Sequence, residues 1–251
     1  MVTENQSQEW YGQGAGQKLI AAEKAEITDI LSKICGYHLV FVGEPLLAPL
    51  VTNSLISHRI LLHPLAKENL SAISALQGKD EALPLQTDSV DAVVLSHVLE
   101  QSMNPHEVLR EAHRILIPEG QVVITGFNPF SLWGLWYHLK QWTHKAPARG
   151  KLLTAGRLRD WLILLNFQIV GGGPFYFRPP ISHDGVDQKL TFLEKVGKHL
   201  WPFWGGAYTL VAIKRVIPIT PLRARWRFEN RLWQPVPNLP KPTTIAKCEK
   251  K

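Results

Sequence analysis

Cysteine is scarce in this 251-residue chain. Cys35 and Cys248 stand far apart, one of them in a polar tail, and such a pair builds neither a disulfide framework nor a cysteine-rich metal centre. A reducing, cytoplasmic setting is therefore expected. Long apolar runs are missing too. The greasiest stretch, Val122 to Leu139, is broken by Asn128, Pro129 and two glycines, so no membrane-spanning helix is expected. The opening MVTENQSQEW carries two acids and no apolar core, unlike a secretory signal. Ten histidines are present, but no pair has the spacing of a metal-binding helix, and no metal is expected. Internal repeats are absent.

What the chain has in excess is positive charge, and it sits at one end. From Lys214 to Lys251 ten Lys and Arg face only Glu229 and Glu249, which leaves 18 bases against 19 acids before them. The body is near neutral. Prolines recur at 218, 221, 235, 237, 240 and 242, so residues 215–251 read as a basic, Pro-rich tail without long regular elements. Its RARWRFENRLW interleaves arginine with aromatics, a pattern that suits RNA or an anionic membrane surface, with folding back onto its own domain as the bland alternative.

A hydrophobic share of 45% supports a sizeable core, and the pattern of apolar runs says how it is built. Leu19, Ile20, Ile27, Ile30, Leu31 and Ile34 fall at helical spacings within residues 17–34, and Gly36 ends that helix. Tyr37 to Val42, Arg59 to Leu62 and Val90 to Ser96 are short apolar runs stopped by Gly or Pro, as buried parallel strands are. Asn104, Pro105 and Glu107 predict a capping box ahead of a helix that buries Val108, Leu109, Ala112 and Leu116. Pro118, Glu119 and Gly120 turn the chain into the strand Gln121 to Thr125. Thr154 caps a further helix with Leu158, Trp161, Leu162 and Leu165 inside, and Phe167 to Val170 and Ala207 to Lys214 close the series as strands. Strands alternating with helices predict an α/β fold: a mostly parallel sheet, helices on both faces and an antiparallel edge strand. The expected organisation is a helical segment over 1–36, an α/β domain over 37–214 with an aromatic insertion near 128–153, and the tail.

The stretch EALPLQTDSVDAVVLSHVLEQSMNPHEVLREAHRILIPEGQVVITGFN, Glu81 to Asn128, resembles the methyltransferase type 11 group of class I S-adenosylmethionine-dependent enzymes. The leucine-proline pair, the aspartate that opens the next strand, the capped helix with LREAHRIL and the proline-glycine turn carry the likeness. TAGRLRDWLILLNFQIV and AYTLVAIKR look like the closing segments of the same Rossmann-like fold, and FNPFSLWGL is similar to that of small uncharacterised bacterial members. The resemblance implies S-adenosylmethionine as cofactor, held at the carboxyl ends of the first, second and fourth strands, where open α/β sheets bind ligands.

At the diagnostic positions this chain has its own residues. Where the family has an acid and three alternating glycines, it reads Phe41, Gly43, Pro45 and Leu47; where the family's ribose acid stands, it has His63. Lys79 falls in register with the adenine aspartate, and Asp80 and Glu81 follow one and two places later. The resemblance thus marks Gly43, Glu44, His63, Asp80, Glu81 and Ser96 as cofactor-binding candidates. Asp91 reads as a structural acceptor of hydrogen bonds. His97, at the carboxyl end of the fourth strand, is the candidate catalytic base, with an exposed or structural histidine as the alternative. Asn128, Trp133, Trp136 and Tyr137 are candidates for binding the acceptor, an apolar or aromatic small molecule, while a helix merely packed on the sheet explains the same aromatics. Two functions follow: methyl transfer to that acceptor, or an inactive relative of the fold that serves as a binding or interaction module.

Overall fold

The computed structural model describes residues 14–64, 73–142, 151–177 and 205–216. In chain order these form α1 (Gly14–Leu31), β1 (His38–Val42), a 3-10 helix (Pro45–Val51), β2 (His58–His63), β3 (Ser74–Gln77), β4 (Val90–Ser96), α2 (Val98–Gln101), α3 (Pro105–Ile115), β5 (Leu116–Phe127), α4 (Leu132–Trp142), α5 (Ala155–Leu164), β6 (Phe167–Phe175) and β7 (Ala207–Lys214). The sheet order is β3-β2-β1-β4-β5-β7-β6. Strands β1 to β5 pair in parallel, and β7 runs against both β5 and β6, so the antiparallel pairing is confined to the two ladders of β7 at that end of the sheet.

Side chains alternate across a strand, so each buried strand feeds two cores. Val40, Val42, Leu62, Val93 and Leu95 face α3 and α5, where they meet Val108, Leu109, Ala112, Leu158 and Leu162. Leu39, Phe41, Leu61 and Val94 face the other way, onto Ile27 and Leu31 of α1 and onto Leu47, Leu50 and Val51 of the 3-10 helix. At the carboxyl end of β5 a smaller cluster joins Leu19, Phe127, Trp133, Phe175, Tyr176 and Ala207. The sheet order reverses between β1 and β4, which opens a crevice beyond the carboxyl ends of those strands.

Local signals played out unevenly. Thr154 caps α5, its hydroxyl accepting from the amide of Arg157 at 3.2 Å. The capping box at α3 does not form: the Asn104 side chain makes no cap bond, and Glu107 instead pairs with Arg110 at 2.5 Å. The amide of Asn104 donates to Glu81 Oε1 at 3.0 Å. Pro118 to Gly120 lie inside β5 as an irregularity, since the pairing jumps from Val90 opposite Leu116 to Ala92 opposite Gln121. Asp91 accepts from the amides of Tyr37 and His38 at 2.9 Å each, and so ties the start of β4 to the start of β1. The tail from 217 onward lies outside the described residues.

Candidate functional site

The first loop after β1 shows how the chain manages without the expected glycines. Phe41, at the family's acid position, is fully buried against Leu39 and α1. Gly43 follows, and a Cβ there would come within 2.8 Å of the Ser96 carbonyl oxygen, so the close approach of β1 and β4 ends requires a glycine. Pro45 then starts the 3-10 helix, which turns Leu47 and Leu50 down into the α1 core. Neither leucine fills the crevice.

What the crevice holds is a cavity of about 210 Å³ lined by Gly43, Glu44, His63, Asp80 and Ser96, with Val98 and Gln101 from α2 as further wall. Five of the six cofactor candidates therefore meet in one place. Glu44 is buried and His63 half-buried. Asp80, not Lys79, is the residue of the 79–82 turn that lines the space. Burial raises the Asp80 carboxyl above its ordinary range, Glu81 adds to the rise, and backbone hydrogen bonds and the His63 charge pull against it. Glu81 lies apart from these five. It is not among the cavity residues, and its Oε1 accepts from Ser102 Oγ at 3.1 Å and from the Asn104 amide, which makes it a brace for the start of α3.

His97 lies deeper. The residue has a left-handed backbone, φ 55°, which histidine adopts more readily than most residues, and its ring lies inside the protein at 1% exposure. Nε2 is 3.5 Å from Glu23 Oε2 and Nδ1 is 3.5 Å from Glu100 Oε2, while the Phe127 ring lies against it at 4.3 Å between centroids. Burial alone would make the imidazole less basic, but the Glu23 charge and the closeness of both carboxylates outweigh it and raise the pKa to about 10. The ring is then an imidazolium at neutral pH. A ring so enclosed meets the two carboxylates and does not line the cavity.

Glu23 is the residue that sequence reasoning passed over. It sits fully buried on α1, where Oε1 accepts from Ser96 Oγ at 2.9 Å and from Thr125 Oγ1 at 2.7 Å. Burial raises its pKa, yet the His97 charge and these hydrogen bonds win, so the net shift is downward. Glu100 is different: burial dominates and raises its pKa, although one oxygen accepts from the Phe127 amide. The signal for Glu23 was available, because Leu19, Glu23, Ile27 and Leu31 share one face of α1 at four-residue steps. A carboxylate inside an apolar stripe needs a buried cation.

The acceptor candidates separate. Trp133 and Tyr137 are each 2% exposed and pack with Phe127. Trp136 is half-buried, edge-on to Trp133 at 5.7 Å. These three read as packing residues. Gly134 lets the helix sit close, since a Cβ there would fall 2.3 Å from the Pro129 carbonyl oxygen. Asn128 instead lines a second, larger cavity of about 730 Å³, together with Phe130, the α5 start at Thr154 to Gly156 with Arg159, Gly172 to Pro174 of β6, and Tyr208 to Leu210 of β7. Among the described residues no group of three or more His, Cys, Asp or Glu is placed to hold a metal ion.

Residues 54–124 match the methyltransferase domain family of type 11. The Escherichia coli K12 protein YafS is 32% identical over 202 residues, spanning 79% of this chain and 77% of YafS. Among solved structures, a SAM-dependent methyltransferase from Thermotoga maritima superposes with a TM-score of 0.62 at 17% identity, covering 84% of this chain and 95% of that one. A Haloferax volcanii protein solved with the Trm112 methyltransferase activator gives 0.60 at 16% identity, with 86% and 98% covered. At such identities the structural likeness speaks to the fold.

Proposed function

This chain belongs to the type 11 family of class I S-adenosylmethionine-dependent methyltransferases, and we propose that it holds S-adenosylmethionine in the crevice beyond β1, β2 and β4 and passes the methyl to a small apolar or aromatic acceptor. The observation that carries this reading is the convergence of Gly43, Glu44, His63, Asp80 and Ser96 on one cavity, with Leu47 turned away from it. The donor set fits the cofactor. His63 Nδ1 or Nε2 supplies one hydrogen-bonding atom to a ribose hydroxyl where a carboxylate would supply two. Asp80 stands across the same cavity, and its carboxyl can bind a hydroxyl in either protonation state. Glu44 offers negative charge to the cationic part of the donor.

When bound, the cofactor supplies an electrophilic methyl on a sulfonium, so little acid-base work is asked of the protein. Its tasks are to align the acceptor with the methyl and to exclude water. Ser96 is fixed by its bond to Glu23, and Glu23 by the His97 imidazolium, so the buried cluster holds one wall of the cavity in place. His97 is a positioning residue in this scheme. The acceptor would reach the sheet end from the larger cavity beside Asn128.

Calorimetric titration with S-adenosylmethionine and with S-adenosylhomocysteine tests the reading. Saturable binding at one site, weakened in His63→Ala and Asp80→Ala, is the expected result. A second reading, an inactive fold that serves as an interaction module, draws on Phe41, buried where the family's acid would face the donor. Folded protein that binds neither ligand at millimolar concentration would establish that second reading and end the first.

A further inference from the structure

Helix α4 has two apolar faces. Trp133 and Tyr137 occupy the core. The other face carries Leu132, Leu135 and Leu139, at steps of three and four that align on one side of a helix, and they are 51%, 59% and 61% exposed. Phe130, just ahead of the helix, is 73% exposed. Single exposed leucines are ordinary, but an aligned series next to an exposed ring is the pattern of a surface that meets something apolar.

The sequence that carries this helix holds charge of one sign as far as Arg159. From Gln121 to Arg159 there is no acid, against the six bases Lys140, Lys145, Arg149, Lys151, Arg157 and Arg159. Lys151, Arg157 and Arg159 are exposed, and Arg159 lines the 730 Å³ cavity together with Phe130. Phe130 thus belongs to the cavity and adjoins the leucine series in sequence.

We infer that the Leu132, Leu135, Leu139 face of α4 docks on an anionic lipid bilayer. The leucines enter the boundary between headgroups and acyl chains, and the neighbouring bases meet the headgroup charge. RNA would use the same bases, but it stacks on aromatic planes, and the aligned series on this face is made of three leucines with one ring at its end. A second copy of the chain would set its bases against these bases. Resting on the methyl-transfer reading, the inference also fixes the acceptor class: an amphiphile with an apolar body, taken from the bilayer into the cavity that Phe130 borders.

The test mixes full-length protein with phosphatidylcholine vesicles, with and without phosphatidylglycerol, and measures the bound fraction by sedimentation. Binding is expected to the mixed vesicles alone and to weaken with salt. The double variant Leu135→Glu, Leu139→Glu should bind at least about tenfold more weakly, while Leu164→Glu, altering an 80% exposed leucine on α5, should bind as the parent does. A second pair, Lys151→Glu with Arg157→Glu, reads the charge separately and should weaken binding about tenfold. No binding by the parent protein, or binding that survives the leucine variant, overturns the inference. So does retention on RNA that the leucine variant abolishes. Circular dichroism checks that each variant is folded, and donor titration in vesicle-free buffer reads the cofactor site on its own, so loss of lipid docking and loss of the methyltransferase reading give different results.

Discussion

Raising the pH from 6.5 to 9.5 should weaken the fold through one buried cluster, centred on His97. In the unfolded chain its imidazole has the ordinary pKa of 6.5; in the folded protein the carboxylates of Glu23 and Glu100 raise it to about 10. A raised pKa means that the stabilisation is complete below 6.5 and is lost as pH climbs through 10. Between those values His97 holds about one proton more in the folded state than in the unfolded state, which by itself corresponds to a slope of about 1.4 kcal/mol per pH unit and a total on the order of 5 kcal/mol. Breaking a buried ion pair costs about 3–5 kcal/mol, so the two figures agree in size. Two other shifted groups move away from this window, since Tyr208 is pushed further up by burial and His113 down, while the raised carboxyl of Glu100, beside the imidazole, adds to the loss in the same direction. The assay is urea unfolding followed by fluorescence at half-unit pH steps, for the parent and for Glu23→Gln. The parent should lose stability steadily, and the variant, without the charge that raises the imidazole pKa, should start lower and show a flatter profile. Equal slopes in the two proteins, or a level profile in the parent, would refute the buried imidazolium.

Other consequences can be checked with single substitutions. His63→Ala should weaken S-adenosylmethionine binding by about tenfold, the loss of one hydrogen bond at about 1 kcal/mol plus some positioning, with unfolding unchanged. Leu47→Gly, which restores the family's residue, should leave donor affinity where it was and cost about 2–5 kcal/mol in unfolding free energy, because the side chain fills the α1 core and not the crevice. Trp133→Ala should cost about 3–5 kcal/mol in the same assay, whereas Phe130→Ala, at an exposed ring, should cost under about 0.5 kcal/mol.

The strands were legible because their apolar runs are bounded by Gly or Pro, and the mostly parallel character of the sheet followed from the alternation of elements. Strand β3 was not. Ser74 to Gln77 is four residues long and exposed at both ends, with only partial burial between them, so it carries no period of its own. Irregular pieces were lost for a related reason: the 3-10 helix at Pro45 begins with a proline that read as a breaker, and α2 spans only four residues. At the site, strand ends could be located, because the fold fixes where the first, second and fourth strands stop. Side-chain direction was out of reach. Asp80 faces the cavity while Glu81, its neighbour, turns to α3, and a one-residue difference in a turn has no signature in composition. His97 was marked by its position, but its charge depends on Glu23, 74 residues earlier and on another element.

The same distinction between position and direction explains how the cofactor loop can lose its glycines. A glycine-rich turn gives room because each residue lacks a side chain that would intrude. Here a proline-started 3-10 helix gives room by aim: with three residues per turn, Leu47 and Leu50 share a face, and that face is turned to α1. Gly43 alone cannot be replaced in this way, because the obstacle to its Cβ is the carbonyl of Ser96 on the adjoining strand, and no choice of rotamer moves a backbone oxygen. Retention of one glycine with loss of two is therefore compatible with an open cavity, and in the proposed donor site it leaves His63, with one hydrogen bond to give in place of two, as the position where affinity is expected to be most affected.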